Sequence, residues 1–232
     1  MHIRNRGRSP QGVFTTVYKN QEWGGGSEDY YSGSGSIEPI ARHYADAVLR
    51  FVREHDIRSI IDLGCGDFRV GSQLCTDDAR YMGIDVVPNL IARNQARYQR
   101  NNVSFACLDI VADELPPAEL CLLRQVFQHL SNRQILAVIR KLYQYRFVLV
   151  TEHYPAPGIR GLIPNKDKVM GSDTRILDDS AVFLDRTPFN LKPKRLLLDI
   201  EVPNWLVRPG ERFKTFVFEF AVVDPPDGVR AR

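Results

Sequence analysis

The sequence predicts an α/β fold, a doubly wound and mostly parallel sheet of seven strands with an antiparallel C-terminal strand pair. Three observations predict it. Short apolar runs alternate with helix-spaced segments from about residue 37 to 153. Crossover helices joining parallel strands produce that rhythm. The first run opens into a glycine turn, "IIDLGCGDFRVG" at 60–71. Two later runs, "RLLLDIEV" (195–202) and "RFKTFVFEFAVV" (212–223), read as an antiparallel closing pair.

The elements follow in order. Residues 1–36 form a polar, glycine-rich leader in which Arg4, Arg6 and Arg8 make a solvated basic tail. It ends in "EWGGGSEDYYSGSGS", where Trp23, Tyr30 and Tyr31 interrupt what would otherwise be a linker. Large aromatics suit a lid over a site better than a free tether. Ile40, Tyr44, Val48, Phe51 and Val52 recur at helical spacing over 37–55, with Ser36 as N-cap and Pro39 in the first turn. "SIIDL" (59–63), "YMGIDVV" (81–87), "VSFACLDI" (103–110), a stretch within "ELCLLRQVF" (119–127) and "YRFVLVTEH" (145–153) are the strands. Pro88 opens one intervening helix and Ser131 caps another, "NRQILAVIRKLYQ". Residues 154–195, rich in Pro, Gly, Asp and Arg, break the rhythm as a long excursion within a domain spanning 37–223. Long irregular segments often serve a site, and this one is placed to cover an acceptor. Residues 224–232 read as a frayed tail.

The bulk numbers exclude several classes. The chain has 232 residues, 44% hydrophobic and 25% charged, which suits one folded domain. A net charge of +3 is too weak to imply nucleic acid by itself. None of the four cysteines forms a CxxC pair, so no zinc or redox motif is expected and no metal is assigned. The start lacks the apolar core of a signal peptide, and no apolar run reaches spanning length. The expected location is cytoplasmic, with no membrane partner.

The glycine turn narrows the ligand. Gly64, Gly66 and Gly71 give G-x-G-x-x-x-x-G, and Arg69 stands where a dinucleotide turn has its third glycine. No Gly-Lys-Ser/Thr follows, so a P-loop also fails. Asp62, just before the turn, suits a cationic ligand and repels a phosphate. Asp85, at the end of the second strand, is placed for ribose hydroxyls, with a helix-capping role as the plainer alternative. S-adenosylmethionine has an ammonium, a sulfonium and a ribose, and no phosphate. NAD shares the ribose but not the positive charge.

"IIDLGCGDF", "YMGIDVVPNLIARN", "VSFACLDIVADELP" and "AELCLLRQVFQHLSNRQI" together resemble the motifs of class I S-adenosylmethionine-dependent methyltransferases, over about residues 58–153. "WGGG", "SGSGS", "CGDF", "HLS", "NKD" (165–167) and "TPFN" (187–190) further resemble a largely uncharacterised bacterial subgroup. The resemblance implies a Rossmann-like sheet and S-adenosylmethionine as cofactor. It implies that Gly64, Cys65 and Gly66 present backbone to the methionine part, with Asp62 near its ammonium. Asp85 would take the ribose, Val86 and Ile110 the adenine faces, and Asp109 the adenine amino group. Arg124 and Gln125 would sit beside the sulfonium, with the Arg124 side chain turned away or binding an anionic acceptor.

Methyl transfer is an in-line displacement in which the protein aligns the acceptor and excludes water. A hydroxyl acceptor benefits from a base, and His129 and His153 follow strands four and five at the ligand side. They favour O- over N-methylation. Trp23, Tyr30, Tyr31, Asn165, Asp167 and Arg175 are the candidate acceptor contacts. The cations of 154–195 suggest a small polar acceptor such as a sugar or phosphate-bearing metabolite. Protein methylation, or a module that keeps the fold without catalysis, are the alternatives. Nucleic acid is not an expected partner, since the place of an Asp/Asn-Pro-Pro-Tyr/Phe motif reads "LLRQVF".

Overall fold

The computed structural model describes residues 5–25, 30–203 and 208–221. Arg4, the 224–232 tail and the expected strand end at 222–223 lie outside them. The elements are α1 (Pro10–Lys19), α2 (Ile40–Glu54), β1 (Ser59–Leu63), β2 (Arg80–Asp85), α3 (Pro88–Tyr98), β3 (Val103–Cys107), β4 (Leu120–Arg124), α4 (Asn132–Leu142), β5 (Phe147–Tyr154), β6 (Arg195–Glu201) and β7 (Arg212–Glu219). The strands form one sheet in the order β3-β2-β1-β4-β5-β7-β6. The first five run parallel, and β7 is antiparallel to both β5 and β6. This is the predicted sheet.

The apolar strand runs have a packing reason. Successive strand side chains face opposite sides, so a strand covered on both faces must be apolar throughout. Ile61, Leu63, Cys121, Leu123, Val148 and Val150 join Ile135, Val138 and Leu142 of α4 on one face. Ile60, Leu120, Leu122, Phe147 and Leu149 join Tyr44, Val48 and Phe51 of α2 on the other. Strand order reverses between β1 and β4. Adjacent crossovers leave in opposite directions there, and a crevice opens at the strand ends. Among the described residues no helix is long and apolar enough to cross a membrane.

Several local expectations are corrected. The leader holds a helix, α1, with Pro10 in its first turn and the Ser9 hydroxyl accepting from the Gly12 N–H at 3.2 Å. Val13 and Val17 of α1 bury against Met170, so the leader is attached to the body rather than tethered. Ser36 does not cap α2: its hydroxyl donates to the Gly33 carbonyl, and the helix begins after Pro39. After the glycine turn the chain makes a single 3-10 turn, Gly71–Leu74, where a strand–turn–helix unit would place a helix. Asp67 takes the Arg69 N–H at 3.0 Å and Phe68 sits at φ +63°, which stops a helix from starting.

The excursion after β5 folds as an irregular, well-bonded layer. The Asn165 amide donates to the Phe183 and Thr187 carbonyls at 2.8 and 2.9 Å and accepts from the Phe183 N–H at 2.7 Å. Asp167 accepts from the Asn132 N–H at 2.8 Å, at the start of α4. The layer therefore docks on the beginning of α4.

Candidate active site

A cleft opens at the carboxyl ends of β1, β2 and β4, and α1 with the segment after it forms its roof. Gly64 has φ +83°, and a Cβ there would lie 2.5 Å from Val126 Cγ2. Only glycine lets the turn lie against the segment after β4. Asn94 of α3 fixes the turn from behind, donating to the Gly66 carbonyl at 2.8 Å.

Four aspartates line the cleft, Asp67 and Asp109 beside the buried pair Asp62 and Asp85. Tyr81 donates its hydroxyl proton to Asp62 at 2.7 Å. Asp85 accepts from the N–H groups of Gly66 and Val87, each at 3.1 Å. Burial is the dominant influence on both and pushes each up to about 6, while these hydrogen bonds pull the other way. Asp85 therefore ties the turn to the start of α3, and its remaining lone pairs are available to a ligand. Asp109 accepts from the Val111 N–H at 2.9 Å.

Arg124 ends β4. Its guanidinium lies 5.1 Å from the Tyr44 ring centroid and donates to the Gly35 carbonyl. Gln125, at φ +57°, turns the chain there and donates its N–H to the Thr151 carbonyl at 2.7 Å. Among the described residues, Arg124 Nε, Gln125 Nε2 and Gln128 Oε1 are buried without hydrogen-bond partners. All three residues line the cleft. Buried polar atoms without partners carry a cost that a ligand can remove. Carboxylates, a guanidinium and unpaired amides around a glycine cradle fit a zwitterionic nucleoside such as S-adenosylmethionine.

Every residue expected to hold the cofactor borders this cleft: Asp62, Gly64, Cys65, Gly66, Asp85, Val86, Asp109, Ile110, Arg124 and Gln125. His129 and Trp23 border it as well. His153, Tyr30, Tyr31, Asn165, Asp167 and Arg175 lie outside the lining. Alternation along β5 explains His153. Glu152 faces the segment after β4, so His153 faces the other side, against Phe213 with ring centroids 4.8 Å apart. Its Nε2 is 3.0 Å from a Glu211 oxygen without hydrogen-bond alignment, and burial holds it down at about 4. Tyr30 packs on Tyr18 at 5.4 Å, and Tyr31 lies under the Arg69 guanidinium.

The remaining expected acceptor residues build a support for His129. Arg175, 1% exposed, donates to the Leu130 carbonyl at 2.8 Å, to Asn132 Oδ1 at 2.9 Å and to the Lys166 carbonyl. Glu152 accepts from the N–H groups of Phe127 and Gln128 at 2.9 and 3.2 Å. Gly171 donates its N–H to the His129 carbonyl at 3.0 Å. The excursion thus grips the turn behind the site and does not cover it. Its buried cations Arg175 and Lys168 are committed to carbonyls, because a buried backbone segment must find partners.

His129 Nδ1 faces the Gly171 carbonyl at 3.1 Å, which places the proton on Nδ1 and the lone pair on Nε2. Burial, with Lys168 nearby, lowers its pKa to about 3, so the ring stays neutral. It stands 5.0 Å from the Trp23 ring.

The leader, by contrast, closes the cleft. Pro10, Phe14, Tyr18, Trp23, Ser32 and Ser36 all line it. Ser32 donates its N–H to Asp67 at 3.0 Å, and its hydroxyl accepts from the Asp67 N–H at 2.7 Å. Trp23 Nε1 donates to the Ser172 carbonyl at 3.0 Å. Phe14, Ser32, Asp67 and Asn94 escape sequence reasoning; for Asp67 and Asn94 the signal is their place within "CGDF" and "LIARN". A Cβ at Gly66 would run into the Ser32 hydroxyl. Gly66→Ala is therefore expected to lift this segment, read as faster amide exchange at Ser32; unchanged exchange would contradict the contact.

Residues 60–145 match the methyltransferase domain family. With the sheet order and the cleft, that match makes this stretch similar to a class I S-adenosylmethionine-dependent methyltransferase domain. A 59-residue stretch is 42% identical to the malonyl-[acyl-carrier protein] O-methyltransferase of Acetivibrio thermocellus, covering 24% of this chain and 20% of that protein. A 90-residue stretch is 27% identical to the ubiquinone biosynthesis O-methyltransferase of Coxiella burnetii, covering 36% and 38%. The match thus spans well under half the length of these curated relatives. Among solved structures, the fold is similar to a 1,6-didemethyltoxoflavin-N1-methyltransferase of Burkholderia thailandensis, with TM-score 0.56, 13% identity and coverage of 90% and 86%. It is also similar to the N-methyltransferase NodS of Bradyrhizobium japonicum, with TM-score 0.55, 15% identity and coverage of 87% and 97%. At those identities the likeness shows the fold.

Proposed function

We propose that this protein transfers a methyl group from S-adenosylmethionine to a small-molecule acceptor, at oxygen in preference to nitrogen. The observation that carries the reading is one cleft bringing Asp62, Asp85 and Arg124 around the Gly64–Gly66 turn. Asp62 suits the ammonium of the amino-acid end, and Arg124, with its free Nε beside Asp62, suits the carboxylate. That removes the difficulty of a cation near the sulfonium. Asp85 is held for the ribose hydroxyls, and Asp109 with Val86 and Ile110 borders the adenine end.

Bound there, the cofactor supplies an activated methyl group. The protein's own residues bind, orient and exclude water. The leader roofs the cleft, and Gln128 Oε1 can accept a hydrogen bond from an acceptor hydroxyl, while His129 Nε2 faces the Gln128 amide at 3.4 Å. The O-methyltransferase names of the two curated relatives support the preference for oxygen. The sugar or phosphate expectation loses its main support, because the cations of 154–195 stay off the cleft lining.

Calorimetry with S-adenosylhomocysteine tests the reading, and tight NADH binding with none of the homocysteine nucleoside would overturn it. A pH series adds a signature. Asp62 and Asp85 titrate at about 6 in the empty cleft, and the ligand ammonium favours ionised Asp62. Affinity should hold above about pH 7 and fall as pH drops through about 6, by up to about tenfold per unit for each carboxylate involved. A dissociation constant that is flat from about pH 8 to about pH 5 would contradict their role.

A further inference from the structure

We infer that the acceptor is a planar hydroxylated aromatic ring, bound between the leader aromatics and the turn after β4. The inference rests on the methyltransferase reading above and deepens it. Phe14 and Tyr18 of α1, Trp23 just after it and His129 all line the cleft. They form one continuous set of rings: Phe14 to Trp23 at 6.2 Å, Tyr18 to Trp23 at 5.1 Å, Trp23 to His129 at 5.0 Å and Phe14 to His129 at 6.5 Å. All four are half-buried, so a face or edge of each remains open. Aromatic groups prefer edge-to-face or offset contacts at these separations. A wall of such rings offers flat π surfaces to a planar ring.

The wall is held in place before any ligand arrives. The indole is anchored through the Ser172 carbonyl, the Tyr18 hydroxyl is 2.9 Å from the Ser32 hydroxyl, and the imidazole is fixed by the Gly171 carbonyl. Rings with fixed orientation lose little entropy on binding a ligand.

Polar atoms in the same cleft supply the hydroxyl recognition. The amide of Gln128 lies 3.4 Å from Gln125 Oε1 and 3.4 Å from His129 Nε2. That arrangement leaves Gln128 Oε1 as a buried acceptor and Gln125 Nε2 as a buried donor, both unpartnered. Gln128 Oε1, on a residue that lines the cleft, can accept from a ring hydroxyl. The few polar groups amid apolar walls are the usual composition of a small-molecule site. In the transfer, the ring oxygen forms the new bond to carbon as the carbon–sulfur bond breaks. The hydroxyl proton is released to solvent water as the sulfonium charge is lost, and S-adenosylhomocysteine leaves.

The test uses the full chain saturated with S-adenosylhomocysteine, whose binding is measured first. Catechol, naphthalene-2,3-diol and glucose 6-phosphate are then titrated by calorimetry. The diols should bind and the sugar phosphate should not, with naphthalene-2,3-diol the tighter. Phe14→Leu and Trp23→Leu keep apolar bulk and lose the ring. Each should weaken diol binding about three- to tenfold, the range expected for one aromatic contact, with S-adenosylhomocysteine affinity unchanged within twofold. Folded variants that bind the diols as wild type does would overturn the inference. So would failure of both diols at millimolar concentration, or preferential binding of glucose 6-phosphate, while the nucleoside binds. Failure of the nucleoside itself would instead remove the underlying reading.

Discussion

Arg175→Leu is expected to destabilise the folded chain by about 3–5 kcal/mol, the usual cost of removing one partner from a buried charged network. The Arg175 guanidinium reaches the carbonyls of Leu130 and Lys166 and the Asn132 side chain from a position that is 1% exposed. Leucine fills similar space and leaves those oxygens without donors, each worth about 1–3 kcal/mol when buried. It also takes the nearest cation from Glu152, whose pKa burial raises to about 8. Urea unfolding measures the loss. Arg175→Lys, which keeps the charge and loses the fork, should fall between the two. If Arg175 were instead an acceptor contact, leucine would leave stability near wild type and change only turnover.

Asp85→Ala is expected to weaken S-adenosylhomocysteine binding by a factor of ten or more. A charge-assisted hydrogen bond contributes about 1.5–3 kcal/mol, and a ribose offers two hydroxyls. Alanine also frees the Gly66 and Val87 N–H groups that the carboxylate now holds. Part of the loss is therefore a loosened glycine turn. Asp85→Asn separates the contributions, because the amide keeps one acceptor oxygen and loses the charge. Calorimetry reads the affinity, and a urea melt of each variant reads the turn's share. Unchanged affinity in the alanine variant would refute the ribose role.

Much of the cleft was legible because its signals are local. Asp62, Gly64, Gly66 and Asp85 sit at strand ends, and a parallel sheet brings all strand ends of one polarity to one rim. Ser131 announced the start of α4, where the structure shows the full capping box with Gln134. The acceptor side was far less legible. His129 and His153 look alike in sequence, each at a strand end. One, in the turn after β4, borders the cleft, and the other, within β5, packs against Phe213. Arg175, Asn165 and Asp167 read as ligand groups because polar loops usually face solvent or substrate. Their partners are backbone atoms close in space and remote in sequence, such as Leu130 for Arg175 and Phe183 for Asn165.

Of the two long segments outside the sheet, the leader borders the cleft and the excursion anchors the leader. The leader was read as linker or lid, and the excursion as the cover. In the structure Phe14, Tyr18 and Trp23 of the leader line the cleft, while Met170 and Ser172 of the excursion hold the leader down. Composition alone could not separate a cover from its anchor, since both are polar and irregular.

By itself the sequence determined the sheet, its glycine turn and the carboxylates at its rim. Apolar periodicity and backbone conformation are properties of neighbouring residues, and neighbours suffice to specify them. Only the tertiary structure decided which histidine faces the cleft, which loop roofs it and which arginine is committed to the interior. Those outcomes depend on where a buried polar group finds its partner, and the partners here lie tens of residues away along the chain.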